Sequence, residues 1–223
     1  MDSRYERNFP ALTEAEWKAL RGKRVLVVGC GGLGGHLIEL LARVGIGALR
    51  VVDGDVFEAS NLNRQLLSEV LLLGVSKAKA AAARVSRVNP DVDVEAEAVF
   101  LTADNVGTLL SGCDAVLDGL DNIESRRILA GACARAGIPY IYGAVNGWVA
   151  QAAISMPGDG LVEKLYPEGA ALKNKSVLSF TPALCAAMQV SLCVKLLVDR
   201  PVETGRIYYF DLLAQEFETI PMA

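Results

Sequence analysis

The sequence lacks the marks of a disulfide-rich, zinc-binding or membrane protein. Its five cysteines are an odd number and include no C-x-x-C pair: Cys30, Cys113, Cys133, Cys185 and Cys193. Neither a disulfide framework nor a structural zinc site is therefore expected. No uninterrupted apolar stretch reaches transmembrane length, and the N-terminus lacks a signal-peptide core. We expect a cytoplasmic protein without a membrane partner.

An excess of basic residues is also missing. The chain has 22 lysines and arginines against 26 aspartates and glutamates, a formal net charge of −4. Binding to phosphate backbones requires a basic face, so nucleic acid is not expected as a partner. The 223 residues fit one α/β domain over 1–223. We divide it into an N-terminal arm and helix at 1–22, a nucleotide-binding core at 23–148 and a C-terminal part at 149–223.

A glycine-rich loop is the strongest local motif. Gly29, Gly31, Gly32 and Gly34 follow an apolar, β-branched run at 24–28 and precede a helical pattern of leucines. Here Gly29 permits the tight turn, Gly31 lets the backbone approach a phosphate, and Gly34 allows close helix–strand packing. The N-terminus of the helix offers unpaired N–H groups to an anion. The loop predicts a nucleotide site, with a glycine turn that binds nothing as the alternative.

Charged residues after the loop distinguish between nucleotide chemistries. Asp53 ends a second strand, 49–52, at about the 20-residue distance expected of a ribose-binding acid. After Asp53 the chain continues with Asp55, the run 60–65 containing Arg64, and then Lys77. An NAD-dependent oxidoreductase has little use for two cations at the phosphates, whereas a site that stabilises leaving pyrophosphate needs them. A shift of the melting temperature by ATP rather than NAD would separate these two functions.

A pair of acids lies at the end of a later strand, in the sequence Asp118-Gly119-Leu120-Asp121-Asn122. Ligands of open α/β sheets bind outside the carboxyl ends of the strands, so Asp121 should face the crevice of the glycine loop. It is predicted to hold Mg²⁺, which takes oxygen ligands from one or two carboxylates and from substrate phosphates. The alternative is that Asp121 caps the following helix together with Glu124.

The hydrophobic pattern predicts an α/β fold, a Rossmann-like, mostly parallel sheet flanked by helices with antiparallel strands added at the C-terminal side. Between Lys77 and residue 148, helices are predicted at 78–88, 104–110 and 123–136, and strands at 92–99, 115–120 and 140–145. Beyond residue 148 we predict an antiparallel strand at 149–155, a poorly patterned crossover at 156–180, a long apolar helix at 181–198 and a hairpin of strands 206–210 and 216–220.

The collinear order of these motifs, preceded by Arg4-Tyr5-Glu6-Arg7, resembles the E1-like adenylating family that includes the ThiF, MoeB and HesA proteins. The resemblance covers nearly the whole chain. It implies that ATP and Mg²⁺ are used to adenylate the C-terminal glycine carboxylate of a small β-grasp carrier ending in Gly-Gly, for sulfur transfer in molybdopterin, thiamine or related biosynthesis. The target could also be a peptide or another carboxylate, and the chain could be a non-catalytic subunit.

The resemblance also implies roles for individual residues. Gly32 would contact the nucleotide, Asp53 the ribose, Asp121 the magnesium, and Asn61, Arg64 and Lys77 the phosphates, with Asp55 and Asn122 in the same binding set. Arg7 would match an arginine that relatives place in the partner's site, which implies a homodimer. A spacer between Arg7 and the first core strand contains a predicted helix at 13–20, for which Thr13 and Glu16 fit a capping box. Such an arm can swing away from its own sheet.

The chain departs from its relatives in its cysteines. Many of them bind zinc through two C-x-x-C pairs, and several carry a crossover cysteine; the region 160–180 here has Lys173-Asn174-Lys175-Ser176 instead. Cys185, the nearest thiol, falls a turn inside the predicted helix. We therefore expect no zinc and no covalent enzyme–carrier intermediate. A C-terminal carboxylate, with a reference pKa of about 3.3–3.7, needs no general base, so His36 is expected to be a packing or surface residue.

Overall fold

A single eight-stranded sheet forms the centre of the computed structural model, which describes residues 3–171 and 176–222. The strands are β1 (Arg24–Val28), β2 (Ala48–Val52), β3 (Asp93–Glu97), β4 (Ala115–Asp118), β5 (Tyr140–Asn146), β6 (Val149–Ser155), β7 (Arg206–Asp211) and β8 (Glu216–Pro221). Their order in the sheet is β3-β2-β1-β4-β5-β6-β7-β8. Strands β1 to β5 pair in parallel, and β6 to β8 are antiparallel. The predicted fold class is confirmed.

Helices cover both faces of the sheet. They are α1 (Glu14–Arg21), α2 (Gly32–Val44), α3 (Lys77–Val88), α4 (Val106–Leu110), α5 (Ile123–Ala136), α6 (Leu161–Leu165) and α7 (Phe180–Leu197). Side chains of β1 alternate between two apolar cores: Val25 and Val27 pack with α1, α2, α3 and α7, whereas Leu26 and Val28 pack with α4, α5 and α6. This alternation is the period of a strand buried on both faces.

The C-terminal part differs in detail from the prediction. The crossover contains α6, a helix of five residues that is too short for a periodic pattern to reveal. Helix α7 is the one described helix that is long and apolar enough to cross a membrane by length and composition. In this structure half of it is buried, and it packs against β5, β6 and α2. The predicted segment Lys173-Asn174-Lys175 lies outside the described residues.

The N-terminal arm is hydrogen-bonded to its own chain through Arg4 and Tyr5. Arg4 donates to Asn89 Oδ1 at 2.9 Å, and the buried Tyr5 hydroxyl accepts from Asn89 Nδ2 at 2.7 Å. The predicted capping box of α1 is confirmed. Thr13 Oγ1 accepts from the Glu16 backbone N–H at 3.2 Å, and Glu16 accepts from the Thr13 N–H at 2.7 Å.

Candidate active site

A cavity of about 800 Å³ opens at the carboxyl ends of the parallel strands, a volume typical of a small-molecule site. The predicted site residues that line it are Gly29, Gly31, Gly32, Asp53, Asp55, Arg64, Lys77, Asp121 and Asn122. They come from the ends of β1, β2 and β4 and from the start of α3. Gly34, Asn61 and Arg7 do not line it.

Two glycines allow the close approach of α2 to β1. Gly29 has a φ of +91°, and a Cβ there would lie 2.6 Å from the Gly119 carbonyl oxygen. A Cβ on Gly34 would lie 1.7 Å from the Gly29 carbonyl oxygen. Gly34 therefore serves packing, whereas Gly31 and Gly32 face the cavity. At Gly32 a Cβ would lie 3.7 Å from the Arg64 carbonyl oxygen, an ordinary van der Waals distance, so close packing does not require a glycine there.

The N-terminus of α2, formed by Gly31 and Gly32, lies in the lining of the cavity. Gly31 is the N-cap and supplies no side-chain acceptor, and the first turn holds no acidic residue. The first N–H groups of a helix have no intrahelical partner, and the helix dipole favours an anion beside them. This end of the cavity therefore fits a phosphate.

Asp53 is held in place by two backbone donors. Its Oδ2 accepts from the Cys30 N–H at 2.7 Å, and its Oδ1 accepts from the Asp55 N–H at 2.8 Å. Burial raises the pKa of this carboxyl above its ordinary value, and the two hydrogen bonds oppose that effect. Each carboxylate oxygen keeps a lone pair, so Asp53 can still accept from the hydroxyls of a ribose.

Both predicted cations reach the cavity. Lys77, the first residue of α3, is 7% exposed, and its Nζ lies 3.2 Å from Asp55 Oδ2. Arg64 is half-buried, and its Nη1 donates to the Ser60 carbonyl at 2.7 Å and to Asn63 Oδ1 at 2.9 Å. The two side chains therefore place positive charge near the glycine loop, where it can stabilise phosphate oxygens.

Asp121 is not the cap of the following helix, so that alternative is wrong. The N-cap of α5 is Asn122, whose Oδ1 accepts from the Ser125 N–H at 2.9 Å. Asp121 is exposed at the mouth of the cavity. In the described part of the chain no group of three or more His, Cys, Asp or Glu side chains could hold a metal ion. A magnesium ion at Asp121 would thus need phosphate oxygens to complete its ligands, as is usual for this ion.

Two predicted site residues lie elsewhere. The Asn61 side chain is 7% exposed and accepts from the Glu58 N–H at 3.0 Å, so it stabilises its own turn. Arg7 is exposed, and the neighbouring Asn8 donates to the Val44 carbonyl at the far end of α2. Since α2 has 13 residues, it is about 20 Å long. Arg7 is therefore well separated from the cavity of its own chain.

Sequence reasoning missed the floor of the cavity. Arg126 on α5 is 3% exposed, and its Nη1 lies 3.1 Å from the fully buried Asp118. The guanidinium also lies 5.1 Å from the ring centre of Tyr142 and 5.8 Å from that of Tyr166. Other cavity residues outside the prediction include Asn63, Gln65, Phe100, Ser125, Asn146, Tyr166 and Ser176. The sequence signal that could have revealed Arg126 is its position one helical turn after Asn122.

The thiols and the histidine stand apart from this chemistry. All five cysteines lie within the described residues and are buried. Burial raises the pKa of Cys185 to about 12 and raises that of Cys30 as well. His36 is partly buried and outside the cavity, and burial lowers its pKa. Because the thiolate is the reactive form of cysteine, burial disfavours reaction at Cys30 and Cys185.

The fold and the cavity define an α/β nucleotide-binding enzyme with cations directed at phosphates. The sequence pattern of the ThiF family matches residues 4–223. The chain therefore belongs to the ThiF family, and it is an E1-like adenylyltransferase, as the curated relatives of this family are.

The chain is 37% identical over 209 residues to the SAMP-activating enzyme E1 of Haloferax volcanii, covering 91% of this chain and 77% of that protein. It is 32% identical to the sulfur carrier protein ThiS adenylyltransferase of Bacillus subtilis, covering 97% of this chain and 67% of the relative. It spans only 59% of the probable adenylyltransferase/sulfurtransferase MoeZ of Mycobacterium tuberculosis, also at 32% identity. The structure of E. coli MccB with MccA-N7isoASN superposes with a TM-score of 0.86 at 20% identity, over 100% of this chain and 72% of MccB, which supports the fold.

Proposed function

We propose that this protein adenylates the C-terminal glycine carboxylate of a small β-grasp carrier protein ending in Gly-Gly, for sulfur transfer in cofactor biosynthesis. The observation that carries the proposal is that Arg64 and Lys77 line the same cavity as the glycine loop, with Asp121 at its mouth. Relatives named for SAMP, ThiS and molybdopterin synthase support a carrier protein as the substrate. Family membership also disfavours an NAD-dependent oxidoreductase.

The reaction is a displacement at phosphorus. A carboxylate oxygen of the carrier attacks the α-phosphorus of ATP, the bond to the bridging oxygen breaks, and pyrophosphate leaves with that electron pair. The carrier carboxylate, with a reference pKa of about 3.3–3.7, is already ionised at pH 7. No general base is therefore required, and the chain must supply position and charge stabilisation.

Each part of the cavity has a task in this displacement. The N–H groups at the start of α2 and the side chains of Lys77 and Arg64 stabilise charge on the phosphates, and Asp53 accepts from the ribose hydroxyls. Magnesium held by Asp121 and the phosphates would neutralise further negative charge as pyrophosphate leaves. On binding, the phosphates replace Asp55 as the partner of Lys77.

The test is pyrophosphate release from MgATP with and without a Gly-Gly-ended carrier. Release should require the carrier and should be lost when its last glycine is deleted, because the nucleophile belongs to the carrier. Lys77→Ala should abolish release, whereas Lys79→Ala, on the exposed side of the same helix, should retain it. Release with free amino acids and with no carrier protein would contradict the proposal.

We also propose a homodimer, located in the cytoplasm, in which Arg7 completes the partner's site. The segment between Arg64 and Lys77 exposes a run of large apolar side chains, namely Leu66, Val70, Leu71, Leu73 and Val75, with Leu71 89% exposed. Exposed apolar patches of this kind mark interaction sites. The separation of Arg7 from its own cavity fits action across an interface, and the unpaired state of all five thiols fits a reducing compartment.

Mixing two inactive variants tests the shared site. An Arg7→Ala protein and a Lys77→Ala protein should form heterodimers in which one site carries both defects and the other carries neither. Random exchange of chains would restore about a quarter of wild-type activity. Verified heterodimers as inactive as their parents would show that Arg7 acts in its own subunit or has no catalytic role.

A further inference from the structure

Two neighbouring parallel strands separate at the carboxyl edge of the sheet. The pairing of β4 with β5 ends at Leu117 and Ile141. Beyond this point β4 stops at Asp118, whereas β5 continues and pairs with β6. Residues 119–122, which follow β4, and residues 144–146 of β5 all line the cavity. The distance between the two strands therefore determines the width of the cavity here.

One side chain of α7 lies at the point where the strands separate. Gln189 is fully buried, and its Nε2 donates to the Asp118 carbonyl of β4 and to the Ile141 carbonyl of β5, each at 3.0 Å. In a continuing parallel ladder the Asp118 carbonyl would accept from an N–H of the neighbouring strand. The Gln189 amide, which has two donor hydrogens, supplies donors where the pairing ends and links both strands to α7.

A glycine on β5 leaves room for this amide. A Cβ on Gly143 would lie 2.2 Å from Gln189 Oε1 and 2.6 Å from Gln189 Nε2. A larger residue at 143 would therefore displace the amide from the two carbonyls. The other edge of β4 is fixed independently, because the Gly119 N–H donates to the Val28 carbonyl of β1 at 2.9 Å. The Gln189 amide thus holds β5 at a set distance from the pair β1 and β4.

We propose that Gln189 is a positioning residue for adenylation. It sets the width of the cleft between Asp121 and residues 144–146, and with it the alignment of the reacting groups. Gln189 does not line the cavity, so it acts through the backbones of β4 and β5. This inference rests on the proposed function and extends it to a residue that touches no substrate.

The position of Gln189 predicts different effects on binding and on turnover. The glycine loop, Asp53 and Lys77 lie at β1, β2 and α3, and the Gln189 amide donates to none of them. ATP binding should therefore depend little on Gln189. Turnover should depend on it strongly, because a misplacement of 1 Å can cost about 100-fold in rate.

Two variants separate the donors of Gln189 from its size. Gln189→Met fills similar space without donors, and Gln189→Glu keeps the shape but replaces the NH₂ group with an oxygen. Both should lower kcat of carrier-dependent pyrophosphate release by about 100-fold, while the ATP affinity measured by calorimetry stays close to that of the wild type. Amide hydrogen exchange should increase at 119–122 and 142–146 and stay unchanged in β1 and β2, because the opening is local.

Leu192→Ala is the matched control for loss of stability. Leu192 is 2% exposed on the same helix and lies outside the cavity. Truncation of a buried leucine leaves a cavity in the core and should lower Tm. At temperatures well below Tm, Leu192→Ala should keep the kcat of the wild type.

Gly143→Ala tests the same contact from β5. Alone it should lower kcat as Gln189→Met does, because its Cβ displaces the amide. In a Gln189→Ala background the Cβ has space, so Gly143→Ala should cause little further loss. Such coupling between the two positions is expected of residues in contact.

Several outcomes would overturn the inference. Wild-type kcat in both Gln189→Met and Gln189→Glu would exclude a positioning role. Equal losses of kcat and ATP affinity, or a similar loss of kcat in Leu192→Ala, would leave Gln189 a role in stability only. A wild type without carrier-dependent release would instead refute the proposed function, and hydrogen exchange in the Gln189 variants would still decide whether the amide holds the strands apart.

Discussion

Replacement of Arg126 by methionine removes the positive charge that faces Asp118 beneath the cavity. Asp118 is fully buried and Arg126 is 3% exposed, so water screens neither group. The Arg126 Nη2 also donates to the Leu120 carbonyl at 2.6 Å, next to Asp121. The methionine side chain fills similar space but leaves both acceptors without this donor.

The burial of both partners determines how much stability Arg126→Met should lose. Removal of one partner from a buried ion pair destabilises a protein by about 3–5 kcal/mol, because the remaining charge is uncompensated. For a chain of this length each kcal/mol lowers Tm by about 2–4 °C, so Tm should fall by about 6–20 °C. Burial raises the pKa of Asp118 and Arg126 opposes that rise. In Arg126→Met the pKa should therefore rise further.

The pH dependence separates this mechanism from simple loss of packing. When the pKa of a carboxyl is higher in the folded state than in the unfolded state, the folded state binds more protons at any pH between the two pKa values. Lowering the pH through that range therefore stabilises the folded state. The stability of Arg126→Met relative to the wild type should therefore recover as the pH is lowered towards the ordinary aspartate range, because protonation of Asp118 removes the unpaired charge. Urea unfolding at a series of pH values measures this difference.

Two further variants make the measurement decisive. Asp118→Asn combined with Arg126→Met should be more stable at pH 8 than Arg126→Met alone, since the buried charge is gone. Arg135→Met, on the exposed side of α5, should stay within about 0.5 kcal/mol of the wild type. The account of the cavity floor would be refuted if Arg126→Met lowered the free energy of unfolding by less than about 1 kcal/mol. It would also be refuted if the double variant were no more stable at pH 8 than Arg126→Met alone.

Further changes test the rest of the site. Asp121→Asn should abolish turnover with unchanged urea unfolding, because it removes the charge assigned to magnesium; near-normal turnover would contradict that role. Cys185→Ser should retain adenylation and elemental analysis should find no stoichiometric zinc, whereas a reductant-sensitive enzyme–carrier adduct would contradict the absence of a covalent step. Burial raises the pKa of Asp53. As the pH is lowered, ATP affinity should therefore begin to fall at a pH above the ordinary aspartate range, where Asp53 takes up its proton. Gly34→Ala should weaken ATP binding and lower Tm, because its Cβ would lie 1.7 Å from the Gly29 carbonyl oxygen; unchanged binding would show that α2 can shift freely.

The part of the site that sequence could predict lies at the ends of strands. Gly29, Asp53 and Asp121 each follow a recognisable apolar strand, and parallel strands end at the same edge of a sheet. Their convergence therefore follows from the strand pattern alone. Lys77 was singled out differently, as the cation that follows the glycine loop, Asp53 and Arg64 along the chain.

The missed parts depend on tertiary contacts. Arg126 lies inside a helix, where a charged residue is usually exposed, and its burial depends on Asp118 and two tyrosines from other elements. Phe100 lies in a short loop whose position is set by Asn105 and Gly54. The resemblance implied a phosphate contact for Asn61. In this structure its side chain accepts from the nearby Glu58 N–H, as short polar side chains often do with local backbone.

The groups that line the cavity indicate that turnover should depend on the positioning of the reactants as much as on positive charge. His36 and the five cysteines lie outside its lining, and an ionised carrier carboxylate requires no base. Catalysis must then come from electrostatic stabilisation by Lys77, Arg64 and backbone N–H groups, and from in-line positioning of the reactants. A displacement of 1 Å can cost about 100-fold in rate, and removal of one stabilising donor costs about 100- to 1,000-fold. Gly34→Ala, which adds no charge and removes none, should therefore lower turnover to an extent comparable with Lys77→Ala.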